Sequence, residues 1–413
     1  MNSSITRSVL STAFVTLVGL AAMPALGQGS SGITDTSVKI GVSGPLSGPV
    51  AALGAVSMGL ETKIRSVNSA GGVKMADGKT RKIELVVADD ALEPQRTMGN
   101  VRRMVEQDGV FALAGISGTP TNQAIRGYVN QKQIPNLFVY SAVYEWGDEK
   151  ANPWTIGLVP SFTTEAAVYA EWLKRNRPQA KVGLLYLNTD MGQNFQAGLK
   201  AALSGSSVNI VSAQATTNTD PTVDTQLANL RAAGADTLLV VTAPRQAAQA
   251  VKGAVESGWS PKTIVSYAAS SVASLRPAGL NNAKGVLTGQ FLKPIDSPAY
   301  ADDAGVKRYL ADYDAAKPRF EKGDTLGQVG YAIGDALVQV LRSMKAPTRE
   351  AMMAAARNMS GVQLDLMLNG ITLNTKQAQD AFPVEALQLF EFDGASYNAQ
   401  GNVISYEGKT PKL

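Results

Sequence analysis

The sequence predicts an α/β protein made of two wound lobes, and three observations carry that reading. Short apolar or β-branched runs alternate with segments of helical periodicity along most of the chain. The alternation breaks once, near residue 155, and then restarts. The length of 413 residues exceeds one ordinary core and suits two domains of roughly 150–200 residues each. Hydrophobic residues make up 45% and charged residues 17%, the balance of a globular chain. There is no cysteine and no histidine. Disulfides, structural zinc, histidine-ligated haem and Cys-His or Ser-His-Asp catalysis are therefore excluded in this chain.

The elements follow in order. Arg7, an apolar run over residues 9–22, and Ala25 and Gly27 at the two positions a signal peptidase reads make residues 1–27 an expected cleaved signal peptide. The run is short for a membrane span. A strand over 38–42 leads into the turn Gly44-Pro45-Leu46-Ser47-Gly48-Pro49. A helix over 51–69 follows, with Leu53, Val56, Leu60, Ile64 and Val67 on one face and Gly71-Gly72 as its stop. Glycines 41, 44 and 48 lack the dinucleotide-binding spacing. Residues 72–80 look like a phosphate loop, but five residues separate the glycines where four are needed. They read as a turn before the strand 83–88, which ends at Asp89-Asp90, acids suited to capping turns. Pro94 opens a helix with Met98, Val101, Met104 and Val105 facing inward.

Residues 111–143 carry the clearest site signal. An apolar strand (111–114) ends in a small polar turn (115–121), and after a helix a second apolar strand (136–139) ends at Ser141-Ala142. Two strand ends thus deliver hydroxyls and free backbone N–H groups to one edge, where open parallel sheets bind ligands. A loop over 144–153, a strand over 154–159 and a helix over 164–175 follow. The second round comprises strands at 182–186, 208–212, 237–241 and 263–267, with the turn 188–192 and helices at 195–203, 222–233 and from Thr242-Ala243-Pro244-Arg245 to 257. The remainder reads as strand 286–292, helices 306–316, 328–343 and 350–358, and strand 386–392. These pieces are too few to close a third core, so they are expected to complete both lobes, with several crossings acting as a hinge.

In order along the chain, VKIGVSGPLSGPVAALG, VNSAGGV, VVADD with EPQRT, VFALAGISGTPTNQA, IPNLF with NPWTIG, and LLYLNTDMGQNFQAGLK resemble the periplasmic substrate-binding proteins of ABC importers, branched-chain amino-acid-binding class. The resemblance implies two flavodoxin-like lobes of the type I periplasmic binding protein fold, joined by three crossings and closing on one small molecule. Residues 35–157 plus 287–370 would form lobe I, and 158–286 plus 371–413 lobe II. It also implies a periplasmic monomer without enzymatic activity or cofactor, presenting its ligand to ABC permease subunits in the inner membrane; a sensor signalling to a membrane receptor is the alternative output.

Residue by residue, the resemblance implies that Ser117, Gly118 and Thr119 hold a carboxylate at a helix start, with Ser141, Ala142 and Val143 as the second turn. Met191 stands where the family has an aromatic residue before a glycine, and Leu53 falls at another frequent aromatic position. The departure lies at the amine subsite. Where the family places an acid after the strand 263–267, this chain has Ala268-Ala269-Ser270-Ser271, of which Ala269 and Ser270 are the expected lining residues. A buried ammonium without a carboxylate costs a few kcal/mol. The expected ligand is therefore a carboxylic acid lacking an α-amine, aromatic or aliphatic, with a branched-chain or other amino acid or amide as the alternative. Arg245, at a strand end where a helix begins, opposes the helix dipole unless an anion is near, and is a candidate anion partner. An enzyme would have to use Asp89, Asp90 or a lysine as its base, and none has a partner at motif spacing. The charges are scattered, without a basic stripe interleaved with aromatics, which argues against nucleic acid. Nothing in the sequence calls for a metal.

Overall fold

The computed structural model describes Met1 and residues 31–376 and 382–413. Residues 2–27 of the expected signal peptide lie outside the described residues. The first sheet has the order β2-β3-β1-β4-β5-β6. Its strands are β1 (Ser37–Gly44), β2 (Val73–Lys74), β3 (Thr80–Asp89), β4 (Ala112–Ala114), β5 (Asn136–Val139) and β6 (Thr155–Gly157). All pairings are parallel except β2 with β3. The phosphate-loop lookalike is thus a hairpin whose first arm is a two-residue edge strand. Strand β4 is buried on both faces, as a parallel sheet sandwiched between helices requires. Helices α1 (Ala55–Ser69), α2 (Pro94–Glu106) and α3 (Thr119–Lys132) follow β1, β3 and β4. Val101, Met104, Leu113, Ile125 and Val129 make a small core of their own between α2, α3 and the sheet.

The second sheet runs β13-β12-β11-β10-β9-β7-β8. It comprises β7 (Lys181–Leu187), β8 (Asn209–Thr216), β9 (Thr237–Val241), β10 (Lys262–Val265), β11 (Leu287–Gln290), β12 (Ala386–Phe392) and β13 (Tyr397–Ser405). Its helices are α4 (Phe162–Asn176), α5 (Asp190–Leu203), α6 (Asp224–Ala232), α7 (Pro244–Glu256) and the short α8 (Val272–Leu275). One sequence expectation is corrected here. Residues 287–290, expected to open the return to lobe I, pair with β10 and β12 in the second sheet. The strand near 155, expected within lobe I, pairs with β5 as the last strand of the first sheet. An apolar run identifies a strand, while the sheet it joins is decided by distant partners. Strand β13 went unread because its residues are mostly exposed and polar.

Three late helices, α9 (Ala304–Ala316), α10 (Thr325–Ser343) and α11 (Arg349–Ala356), return to the first lobe. The chain therefore crosses between lobes after β6, after β11 and after α11. The return is fixed by the contact of α1 with α10, made through glycines. A Cβ on Gly330 would sit 1.9 Å from the Val56 carbonyl oxygen, and one on Gly59 2.0 Å from the Gly327 carbonyl oxygen. Glycine costs a helix about 1 kcal/mol relative to alanine, a cost offset here by backbone-to-backbone approach. Lys63 completes the contact, its Nζ 2.9 Å from Asp365 Oδ2 and 3.6 Å from Asp335 Oδ1.

At the first crossing, Phe162 N donates to the Ala142 carbonyl at 2.8 Å, and Ser161 caps α4 through Thr164 N. One turn later Glu165 is fully buried. Its oxygens accept from Tyr169 Oη (2.7 Å), Ser266 Oγ (3.0 Å) and Tyr267 N (2.8 Å). No cation lies within ion-pair distance of it among the described residues, and burial pushes its carboxyl up from 4.5 to about 7 against the opposing effect of those donors.

Replacing Gly330 with alanine forces the two helices apart and is expected to destabilise the protein by roughly 1–3 kcal/mol, read from the urea midpoint. Glu165 holds a proton in the folded state between its unfolded value of 4.5 and about 7, where the unfolded chain has released it. Its contribution is present below pH 4.5 and is lost as pH rises to 7. Glu165→Gln should therefore gain stability relative to wild type across that window, by a total on the order of 3 kcal/mol, and then level off. Melting curves at several pH values check this, and parallel wild-type and variant profiles would refute it.

Candidate functional site

The two polar turns at the edge of the first sheet do converge. Ser117 bridges Tyr140 in parallel, Gly118 N donates to Tyr140 O and Tyr140 N to Ile116 O, each at 3.0 Å. Gly118 caps α3 with φ +95°, and a Cβ there would lie 2.6 Å from Leu92 Cδ1, so both conformation and space call for glycine. The carbonyls of Ile116, Ser117 and Gly118 are held by the side chains of Asn122 and Thr121. In the next strand, Phe138 sits at φ +56° beside a register shift between Leu137 and Val139. A bulge of this kind re-aims the residues after it, here Tyr140 and Ser141.

Thr119 Oγ1 and Ser141 Oγ lie 2.8 Å apart, and Ser141 Oγ accepts from Trp146 Nε1 at 2.8 Å. Of the two hydroxyl protons, one is spent on the mutual bond and one remains to donate. The Ser117 hydroxyl points elsewhere: it is buried without a hydrogen-bond partner, near the position a Cβ of Gly44 would take and beside the similarly unpartnered Ser57. Ala142 and Val143 are almost wholly buried, and Ala142 uses its carbonyl to hold the first crossing. The second lobe closes over this edge, for Tyr144 N donates to Asn194 Oδ1 of α5 at 2.7 Å.

Between the lobes lies a slot of about 70 Å³. The first lobe lines it with Leu53, Tyr140, Asp324, Thr325, Leu326 and Val329, the second with Pro244, Tyr267, Ala268, Ser271 and Ser274. Ligand pockets usually enclose roughly 300–1,000 Å³, so the lobes must part to admit an organic molecule, as hinged lobes do. Tyr267 is anchored through its hydroxyl to the Pro160 carbonyl in the first crossing, at 2.8 Å. Burial holds the hydroxyls of Tyr140 and Tyr267 well above the usual tyrosine range, so both stay neutral.

The expected residues of the second lobe are placed differently. Residues 267–269 form a tight turn that brings Ala268 and Ser271 to the slot. Ala269 and Ser270, expected to line it, are instead buried, with Ser270 O accepting from Tyr397 Oη. The Arg245 guanidinium, expected near an anion, is engaged by the carbonyls of Asn218 and Asp220 at 2.9 Å and of Pro221 at 3.4 Å. Met191 is in the first turn of α5, half-buried against the core, and does not line the slot. Leu53 does line it.

The expected absence of an acid near the ligand needs a larger correction. Asp324 reaches the slot from the first lobe, far in sequence from the strand where an acid was sought. It caps α10, accepting from Leu326 N at 2.9 Å. Burial raises its carboxyl above the ordinary value, the Leu326 N–H opposes this, and the charge of Glu321 adds to the rise. A Gly-Asp-Thr run ahead of an apolar helix is a readable cap signal, but nothing in the sequence says that this cap faces a cleft.

Residues 37–396 match the family model described as periplasmic binding protein. Leu/Ile/Val-binding protein homolog 3 of Brucella melitensis is 27% identical over 206 residues, 48% of this chain and 52% of the relative. An amino acid binding protein of Pseudomonas aeruginosa is 34% identical over 100 residues, 24% of this chain and 25% of the relative. The chain thus spans about half or less of the length of these curated relatives. Among solved structures, a branched chain amino acid ABC transporter protein from Thermus thermophilus with bound valine has a TM-score of 0.79 at 17% identity, covering 90% of this chain and 97% of that one. A fatty acid ABC transporter substrate-binding protein from Thermomonospora curvata has a TM-score of 0.76 at 20% identity, with 92% and 97% covered. At these identities the structural likeness is one of fold. With a family match over most of its length and two wound lobes crossed three times, the chain belongs to the periplasmic binding protein family, in its type I, branched-chain amino-acid-binding class.

Proposed function

We propose that this chain is the periplasmic solute-binding component of an ABC importer, capturing a small carboxylic acid that lacks an α-amine between its closing lobes. The carrying observation is the Thr119–Ser141 hydroxyl pair, which keeps one donor unspent at the edge the second lobe covers. Donors left over beside a helix start suit a carboxylate. The names of the relatives divide between branched-chain amino acids and fatty acids, classes that share a carboxylate on an aliphatic body. Leu53, Leu326, Val329 and the rings of Tyr140 and Tyr267 offer such a body an apolar wall. Contacts to both lobes give the ligand different affinities for the open and closed forms, which is what drives closure. An ABC permease in the inner membrane is the proposed recipient, the protein works as a monomer, and no catalysis or cofactor is involved.

A second reading, an amino acid or amide, is favoured by one observation, the carboxyl group of Asp324 in the slot. A panel of carboxylic acids, amino acids and amides separates the two. The matching ligand raises the melting temperature by mass action, adding about 2.7 kcal/mol at a hundredfold excess over Kd, and a flat response across the whole panel would sink solute binding as the function. Thr119→Val keeps the shape and removes one hydroxyl. It should weaken binding of the matching acid by roughly 1–3 kcal/mol by calorimetry; an unchanged Kd would take Thr119 out of the site.

A further inference from the structure

Beyond the slot, and sharing Ser271 and Thr325 with it, lies a second chamber of about 30 Å³. A buried water occupies about 10–15 Å³ on this scale, so the chamber has room for a terminal group of about two atoms, not for a second ligand. Its polar groups are short of donors. Gln328 is only 4% exposed, lines the chamber, and its side chain has no hydrogen-bond partner among the described residues. Gln290, also buried, donates to Ser270 Oγ at 3.4 Å and keeps its carbonyl oxygen free. Asp296 stands exposed at the chamber mouth with neither a hydrogen bond nor an ion pair among the described residues. The one cation in the lining, Lys293, is already committed, with its Nζ 2.9 Å from Asp303 and 3.0 Å from the Asp365 carbonyl.

Asp324, Thr325 and Gln328 sit on the first turn of α10, and four residues of helix advance about 6 Å. The row therefore leads from the slot into the chamber. Asp324 spends one oxygen on the α10 cap and has no cation partner among the described residues, so the helix dipole is already answered and the second oxygen is available. Burial raises the Asp324 carboxyl, a condition a cationic guest would relieve. An ammonium group supplies three donors at once to acceptors that have no donor from the protein.

We propose that the ligand carries a terminal ammonium group seated between Asp324 and Gln328, with the Gln290 carbonyl and Asp296 completing its surroundings. This deepens the carboxylate reading and rests on it. The Thr119–Ser141 pair lines neither the slot nor the chamber, so the proposal gives the anion and the cation separate places, the carboxylate at the polar turns and the ammonium at the α10 N-terminus. The substrate class is an ω-amino acid.

Three five-carbon probes decide it by calorimetry: pentanoate, 2-aminopentanoate and 5-aminopentanoate. The terminal amine should bind about tenfold or more tightly than either of the others, the worth of a charged hydrogen bond. Asp324→Asn keeps a good helix cap and removes the charge, and Gln328→Leu removes the carboxamide. In each, with the melting temperature of the free protein unchanged, the preference for the terminal amine should collapse toward unity. If pentanoate or 2-aminopentanoate binds as well as 5-aminopentanoate, or if the preference survives both substitutions, the terminal-ammonium site is overturned while carboxylate capture stands. If none of the three binds but another acid of the wider panel does, the ω-amino class is again wrong alone. If nothing in any panel binds, solute capture fails and this site with it.

Discussion

Two helices touching backbone to backbone hold this architecture together. Where α1 and α10 cross, Gly59 and Gly330 leave no room for a side chain, and Lys63 buries its ammonium group between Asp335 and Asp365. Because α10 is clamped to the first lobe, the chain must cross back after β11 and cross again after α11. The same clamp sets the height of the α10 N-terminus, so Asp324, Thr325 and Gln328 face the second lobe. A helix packed at ordinary distance would sit several ångströms farther out, and the cleft would lose that wall.

The hinge is bound to the wall on the other side. Glu165 accepts from the backbone of Tyr267 and the side chain of Ser266, while the Tyr267 hydroxyl reaches back to Pro160 in the crossing. The turn that presents Tyr267 and Ala268 to the slot is therefore tied to the first crossing by hydrogen bonds rather than by packing alone. Buried networks of this kind are worth keeping only when every member is satisfied, and Glu165 meets that condition with three donors. The two lobes thus carry different supports: a glycine-lined clamp closed by the Lys63 ion pairs on one and a hydrogen-bonded circuit around Glu165 on the other.

Alternation of apolar strands with amphipathic helices was legible throughout, since each helix face and buried strand repeats with its own period. The turns at Ser117–Thr119 and Ser141 were legible too, because small polar residues after apolar strands have few other uses. Less visible was the phase within a turn. Ala268-Ala269-Ser270-Ser271 offers four similar residues, and the tight turn at 267–269 selected Ala268 and Ser271 for the slot. Arg245 misled for a related reason: three carbonyls of the 218–221 segment satisfy it, and carbonyls leave no mark in a sequence.

By itself, the sequence determined the class of fold, most strands and helices of both lobes though not β13, the polar turn pair, and the impossibility of cysteine or histidine chemistry in this chain, because these follow from local periodicity and from composition. Only the tertiary structure decided that Leu287–Gln290 joins the second sheet and that an acid 54 residues beyond Ser270 lines the cleft, at Asp324. It also decided that Gln328, 4% exposed, lines the chamber with no hydrogen-bond partner for its side chain among the described residues. Those outcomes depend on which distant backbones approach each other, a matter of glycine contacts and sheet order that no local pattern encodes.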